Sequence, residues 1–360
     1  MHIGRGGRRK EGSSNSGIVA TVFGCSGFLA RYVVNSLARQ GSQVVMPYRC
    51  DDLDCQHLRL MGDLGQMVAL KGFNIRDDEA VRYAIRRSNL VVNCIGAERE
   101  TWNYEFEEVH VDIARRIAEA CAANPIVERL MHVSCLSAAP DAPSERLRTK
   151  AAGDAAVRAA MPNATIFKPG PLIGNEDRLT NNIAQLGKKY AIVLLVGDGY
   201  PVIPLVGGGR ARLQPVYVRD VADGMINSLR SRDAIGQDFY MAGPDVLTLR
   251  SLYKLVFETM REPFRPLPVP TSIAKALAIP RERLYKKLPI PWNTMFTADF
   301  IDEMTADHVL PEGVLTLKDL GVDPRSVTKG VPIEHIRHMR SGGYDYGTTY
   351  QLPASKHYVE

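Results

Sequence analysis

Apolar, β-branched positions crowd together at 18–23, where Ile18-Val19-Ala20-Thr21-Val22-Phe23 runs without alternation. Such a run predicts a strand buried on both faces of a parallel sheet. The pattern then changes period: over 28–38, Leu29, Val33, Val34 and Leu37 fall on one helical face. Further apolar runs predict strands at 43–46, 67–70, 90–95, 129–133 and 165–168. The third could reach Phe73, but Lys71 and Gly72 interrupt it. Between them, amphipathic stretches predict helices over 77–87, 105–123 and 150–161, the last stopped by Pro162. Strand and helix alternating at this spacing define an α/β fold, a Rossmann-type doubly wound parallel sheet.

Past residue 175 the alternation weakens, and proline and glycine gather at 197–209 and 263–292. The chain therefore divides into a segment 1–16, a sheet domain over 17–175, a smaller irregular lobe over 176–335 interleaved with the sheet edge, and an extended arm over 336–360. No internal repeat is present. With 360 residues the chain can bury a core without disulfide or metal staples. No apolar stretch of about 18 residues exists, which excludes a spanning helix; the nearest candidate, 191–196, stops at Gly197-Asp198-Gly199. Lys and Arg number 45 against 40 Asp and Glu, a formal net charge of +5. That mild excess demands no nucleic acid, and it suits an anionic membrane surface or an acidic partner. None of the six cysteines forms a Cys-x-x-Cys pair, so no metal site is expected, and reduced, buried thiols in a reducing compartment are. Arg5, Arg8, Arg9 and Lys10 with Ser13, Ser14 and Ser16 give 1–16 either the bias of an organellar transit peptide or that of a plain disordered tail.

Candidate chemistry begins at Gly24-Cys25-Ser26-Gly27-Phe28-Leu29-Ala30, a Gly-x-x-Gly-x-x-Ala turn between strand and helix. Gly24 suits the tight turn, Gly27 lets a pyrophosphate approach the backbone, and Ala30 lets helix pack on strand. The helix amino terminus then supplies free N–H groups to phosphate. At the end of the second strand an acid would grip a ribose 2′-hydroxyl, whereas Arg would favour a 2′-phosphate. Arg49 stands there and points to NADPH; the alternative is that Arg49 pairs with Asp51 or Asp52.

These features, with Ser134 ending the fifth strand, resemble the extended and atypical short-chain dehydrogenase/reductases. Lys168-Pro169-Gly170-Pro171-Leu172-Ile173-Gly174 and Val216-Tyr217-Val218-Arg219-Asp220-Val221-Ala222 also look like segments of that family. The resemblance implies a dinucleotide lying along the strand ends: past Asn74 and Ile75, past Cys94, Ile95 and Gly96, and by Pro169 and Leu172. Asn74 departs from the family's frequent adenine-contacting Asp. Active members use Ser, Tyr and a Lys four residues after the Tyr. Ser134 matches the Ser, and either meets ligand or caps its strand. Lys150, expected to head its helix, matches the Lys, and either holds the nicotinamide ribose or is an exposed first-turn lysine. Four residues before it stands Arg146, and no tyrosine occurs between Tyr104 and Tyr190. Arginine cannot give up a proton at physiological pH, so the family's proton relay is missing and no catalytic residue is assigned.

The 16–24 stretch, Tyr48-Arg49-Cys50, Met61-Gly62-Asp63-Leu64-Gly65-Gln66 and Arg178 after Asn175-Glu176-Asp177 resemble the alpha-subcomplex subunit nine family. This is the NADPH-binding accessory subunit family of mitochondrial respiratory complex I, NADH:ubiquinone oxidoreductase. The resemblance runs from about 16 to about 245. It implies a non-catalytic subunit with tightly held NADPH, supporting assembly and stability on the matrix side of the inner membrane, among other subunits near the quinone site. The basic, partly apolar segment 272–288 then either lies on lipid headgroups or a neighbour, or is a solvated helix face broken at Pro280. The alternatives are a working NADPH-dependent reductase and a regulator that senses NADP(H).

Overall fold

The computed structural model describes residues 16–189, 202–287 and 297–339. The tail to residue 15, the apolar run 191–196 and the arm from 340 lie outside the described residues. The first half alternates as expected: β1 (Val19–Phe23), α1 (Phe28–Arg39), β2 (Gln43–Pro47), α2 (Asp52–Arg59), β3 (Met67–Leu70), α3 (Asp78–Ile85), β4 (Leu90–Asn93), α4 (Ile113–Ala123), β5 (Arg129–Val133), α5 (Glu145–Ala160) and β6 (Thr165–Pro169). The second half is made of shorter pieces: β7 (Leu172–Ile173), α6 (Leu179–Lys189), β8 (Ile203–Val206), β9 (Arg212–Leu213), β10 (Val216–Tyr217), α7 (Val218–Ser228), β11 (Asp238–Met241), β12 (Leu247–Thr248), α8 (Leu249–Met260), β13 (Pro266–Val269), α9 (Thr271–Lys287), α10 (Ala298–Thr305), β14 (Leu315–Thr316) and α11 (Val331–Glu334).

Eight strands make one sheet in the order β14-β11-β6-β5-β4-β1-β2-β3, every neighbouring pair parallel. Strand order reverses between β1 and β4, so the crevice for a ligand opens at their carboxyl ends. The continuous apolar runs are explained by helices on both faces. Val22, Val44 and Val92 are buried against Val33, Val34 and Leu37 of α1, Leu58 of α2, and Val221 and Met225 of α7. Phe23, Val91 and Leu130 face the other way, onto α3, α4 and Val157 of α5. Fully burying each such side chain contributes about 1.5–3 kcal/mol. A second core gathers Ile183 and Leu186 of α6, Leu252, Val256 and Phe257 of α8, and Ile336.

Several expectations need correction. Helix α5 starts at Glu145, so Lys150 sits in its second turn and does not head it. The reason lies far along the chain: the Asp299 carboxylate takes the Ser144 hydroxyl at 2.8 Å and the Glu145 backbone N–H, capping the helix early. Helix α2 was not among the expected elements; the Asp51 side chain caps it by accepting from the Asp52 N–H. The helix over 105–123 contains a π turn, Glu108–Asp112, before α4. β3 keeps to the expected 67–70, whereas β4 stops at Asn93, short of the expected 95. α9 runs through Pro280 without breaking, and the side chains of Arg281, Leu284, Lys286 and Lys287 lie outside the described residues.

The π turn places the His110 carbonyl against α5, where only glycine fits: a Cβ on Gly153 would lie 2.1 Å from that oxygen. With α5 pinned by Asp299, the helix cannot back away. Gly153→Ala is therefore expected to cost at least about 1–3 kcal/mol, measured by urea unfolding. An unchanged midpoint would show that the helix yields.

Candidate nucleotide-binding site

At the crevice, β1 ends in Phe23 and the chain turns on Gly24, with φ +74°. A Cβ there would sit 3.0 Å from the Cys94 carbonyl carbon and oxygen, so both the turn and the approach of the strand after it require glycine. The Gly27 N–H donates to the Gly24 carbonyl at 2.8 Å, and Gly27 caps α1 with no side-chain partner and no acid in the first turn. By contrast, α2 and α3 are capped by Asp51 and Asp77. The first-turn N–H groups of α1 have no intrahelical acceptor, and with the helix dipole they suit an anion. Cys25 and Leu29 are buried, so toward this anion they can offer backbone only. Cys25 Sγ faces the Pro47 carbonyl at 3.6 Å, and burial pushes its thiol up to about 12. Ser26 is half-buried at the mouth. Phe28 packs against Gly174, where a Cβ would meet its ring at 3.0 Å, and stands edge-on to Tyr32.

Arg49 follows β2 and is exposed. Its two acidic neighbours are engaged elsewhere: Asp51 caps α2, and Asp52 pairs with Lys71 and Arg59 and accepts from the Tyr48 hydroxyl at 2.9 Å. Among the described residues Arg49 makes no ion pair. Its guanidinium lies instead over the Tyr104 ring, 4.6 Å from the centroid, and Arg76 lies over the same ring at 4.3 Å. Arg76 is itself held by Glu108 and by the Asn103 carbonyl. The stack holds Arg49 at the crevice with its charge uncompensated by acid. Arg76 and Tyr104 went unnoticed in the sequence, since the three residues come from different loops. Asn74 Oδ1 accepts from the Arg76 N–H at 3.0 Å and the Ile75 carbonyl accepts from Arg116, so both shape this rim.

Lys150 reaches the other end of the crevice. Its Nζ lies where a Cβ on Gly96 would approach to 3.1 Å, and it donates to the Val133 carbonyl at 3.3 Å. Gly24, Cys94, Ile95, Gly96 and Lys150 thus share one wall. Lys150 is buried, which excludes the exposed-lysine alternative. Burial and then the nearby Arg146 charge lower its pKa. Burial pushes the Cys94 thiol up to about 12, with Lys150 opposing. Ser134 lies just beyond β5, but its hydroxyl donates to Asp154 Oδ2 at 2.8 Å, a link from strand end to α5. Behind it, the Asn93 amide meets His132 Nδ1 at 3.1 Å, and Asn93 Oδ1 accepts from the Ile95 N–H at 3.0 Å. A buried polar string therefore sets the loop after β4. Pro169 ends β6, its carbonyl accepting from the Leu136 N–H at 2.8 Å, and Leu172 pairs with Val216.

Arg146 stands four residues before Lys150 on α5. It grips Glu303 of α10 with both Nε, at 2.8 Å, and Nη2. Burial alone would disfavour its charge, yet Glu303 outweighs that and raises its pKa. The groups that bear most on Lys150 are Arg146, Cys135, Asp154 and Cys94. Nearby, His110 Nε2 accepts from the Ala97 N–H at 3.1 Å and Nδ1 meets Thr149 Oγ1 at 2.9 Å. Burial, then Lys150 and Arg146, drive the His110 pKa down to about 2, so the ring is neutral. Neither Asp299, Glu303 nor His110 was marked by local sequence.

A parallel sheet with this crevice and glycine turn defines a dinucleotide-binding protein, and residues 20–243 match the NAD dependent epimerase/dehydratase family model. The fold is also that of MoeE5, solved in complex with UDP-glucose and NAD, with a TM-score of 0.62, 15% identity, and coverage of 89% of this chain and 98% of that one. The chain is 40% identical over 349 residues to NADH dehydrogenase (ubiquinone) 1 alpha subcomplex subunit 9, mitochondrial, of Arabidopsis thaliana, covering 96% of this chain and 83% of the relative. To the protein of the same name from Mus musculus it is 42% identical, covering 89% and 79%. The chain belongs to the alpha subcomplex subunit 9 family, a branch of the epimerase/dehydratase fold.

Two expectations follow. Arg146→Met strands Glu303 without its partner and is expected to lose about 3–5 kcal/mol in urea unfolding, most of it recovered in the double variant Arg146→Met/Glu303→Leu. Equal loss in single and double variants would remove the pair from its structural role. For His110 the sign is set by a folded pKa below the ordinary 6.5. The unfolded chain takes a proton that the folded site refuses, so this contribution is complete above about pH 6.5 and is lost as pH falls, at about 1.4 kcal/mol per unit. His110→Gln should flatten the stability profile between pH 6.5 and 5 by that slope.

Proposed function

We propose that this chain is a non-catalytic accessory subunit of mitochondrial NADH:ubiquinone oxidoreductase that holds NADPH as a structural group. The observation that carries the reading is the contrast between an intact cradle and a closed reaction position. Gly24, Gly27 and the open start of α1 suit a pyrophosphate, while Arg146, locked onto Glu303, stands where an active relative needs a phenol. When bound in active relatives, the nicotinamide supplies hydride. In this chain the first-turn amides of α1 hold phosphate, Arg49 holds the 2′-phosphate, Lys150 holds the nicotinamide ribose, and no side chain moves a proton to a substrate oxygen. A ligand that binds only the folded form adds stability by mass action, which gives a cradle without a catalyst its use.

Similarity to named subunits of the ubiquinone-reducing complex supports the assembly role. So does the exposed apolar surface. In the Met61–Gln66 stretch, Gln66 Nε2 donates to the Ala38 and Ser42 carbonyls, each at 2.8 Å, and Oε1 accepts from the Asp63 N–H. That clamp leaves Leu64 fully exposed beside exposed Leu60, and Leu53 of α2 is exposed too. On α9, Ile273 and Leu277 are exposed. We assign these faces to neighbouring subunits near the quinone site, with α9 toward lipid, on the matrix side of the inner membrane. No helix among the described residues is long and apolar enough to cross it.

The test is to purify the protein with its complex, extract the nucleotide, and assay turnover with quinones, aldehydes and sugar nucleotides. Released NADPH without turnover is expected; sustained cofactor oxidation at this subunit overturns the reading. Arg49→Ala is expected to weaken NADPH binding about 10–100-fold and to leave NADH binding nearly unchanged, measured by nucleotide fluorescence titration.

A further inference from the structure

One residue beyond Arg49, two thiols face each other. Cys50 precedes the Asp51 cap of α2, and Cys55 lies in the first turns of that helix, with the two Sγ atoms 2.9 Å apart. In place of the usual apolar pair that staples a helix start, two cysteines make the contact. Both are free thiols; Cys50 is half-buried and Cys55 is only 1% exposed. Cys25 packs in the same core but turns to the Pro47 carbonyl, which leaves Cys50 and Cys55 as the facing pair.

We propose that Cys50 and Cys55 form a reversible disulfide, a redox-modification site on the loop that sets nucleotide preference. The oxidant is hydrogen peroxide. It meets Cys50 first, because Cys55 is buried and its thiol is pushed up to about 12. One peroxide oxygen passes to the Cys50 sulfur: the S–O bond forms, the O–O bond breaks, and water leaves. The Cys55 sulfur then attacks, the S–S bond forms, the S–O bond breaks, and the departing hydroxide takes the Cys55 proton as a second water. Two electrons have moved from the two thiols to the peroxide. A dithiol reductant reverses the step by exchange. The bridge ties the residue after Arg49 to the body of α2, and so changes how Arg49 meets a 2′-phosphate. That consequence rests on the proposed NADPH site; the bridge itself does not.

The sequence supplies a direct assay. Trypsin cutting after Arg49 and Arg59 releases one peptide that carries both cysteines. The full-length protein is treated with hydrogen peroxide, alkylated, digested and weighed, with and without dithiothreitol. The expected product is that peptide unalkylated and two hydrogens lighter, restored to two alkylated cysteines by dithiothreitol and absent from Cys50→Ser. Two alkylated cysteines after peroxide, or Cys50 carried on to sulfinic acid, overturn the proposal. NADPH affinity is titrated in parallel on reduced and oxidised protein, with a change on the order of fivefold or more expected and none in Cys50→Ser. A bridge with unchanged affinity overturns the link to Arg49. Failure to bind NADPH in every form, with the bridge still seen by mass, overturns the nucleotide reading instead.

Discussion

The grip of α10 on the start of α5 governs this molecule. Asp299 satisfies the first amides of α5, and Glu303 neutralises Arg146 one turn away. Each is a carboxylate brought out of water, a costly arrangement unless hydrogen bonds complete it. Here the bidentate guanidinium and the helix cap complete both. The outcome is a helix that starts early, a lysine carried into the second turn, and an ion pair between Arg146 and Glu303 beside it. Separating Arg146 from Glu303 would leave two unpaired charges in a poorly hydrated place.

The same arrangement sets the electrostatics of the crevice. Lys150 lies against Gly96 and close to Arg146, so two cations share a small volume. His110 answers by staying neutral, its two nitrogens fixed by the Ala97 amide and Thr149. At the far rim, Arg49 and Arg76 both lie over the Tyr104 ring. The α1 amino terminus, with no acid in its first turn, lies between these ends. Arg49 and Lys150 thus stand at the two ends of the crevice, with the open start of α1 also facing it.

The sheet was legible because its strands are buried on both faces and read as unbroken apolar runs. The phosphate turn was legible because only glycine tolerates positive φ at Gly24. What stayed hidden depended on distance along the chain. Helix α2 carries only Cys55 and Leu58 inward among acids, too little for a periodic signal. The start of α5 is set by Asp299, and the meaning of Arg146 by Glu303. Arg49 could be placed at the right strand end from sequence, but the fate of Asp51 and Asp52 needed Lys71, Arg59 and the α2 cap to be seen together. Ser134 matched a motif while its hydroxyl serves Asp154.

Glu303 lies 157 residues beyond Arg146, and β14, which closes the sheet, lies later still. Contacts so remote in sequence form slowly, because a long loop must close before they reward it. A nascent chain that has delivered only its first half would hold α5 uncapped and Arg146 unpaired. Until α10 arrives, the start of α5 lacks both its carboxylate cap and the partner of Arg146.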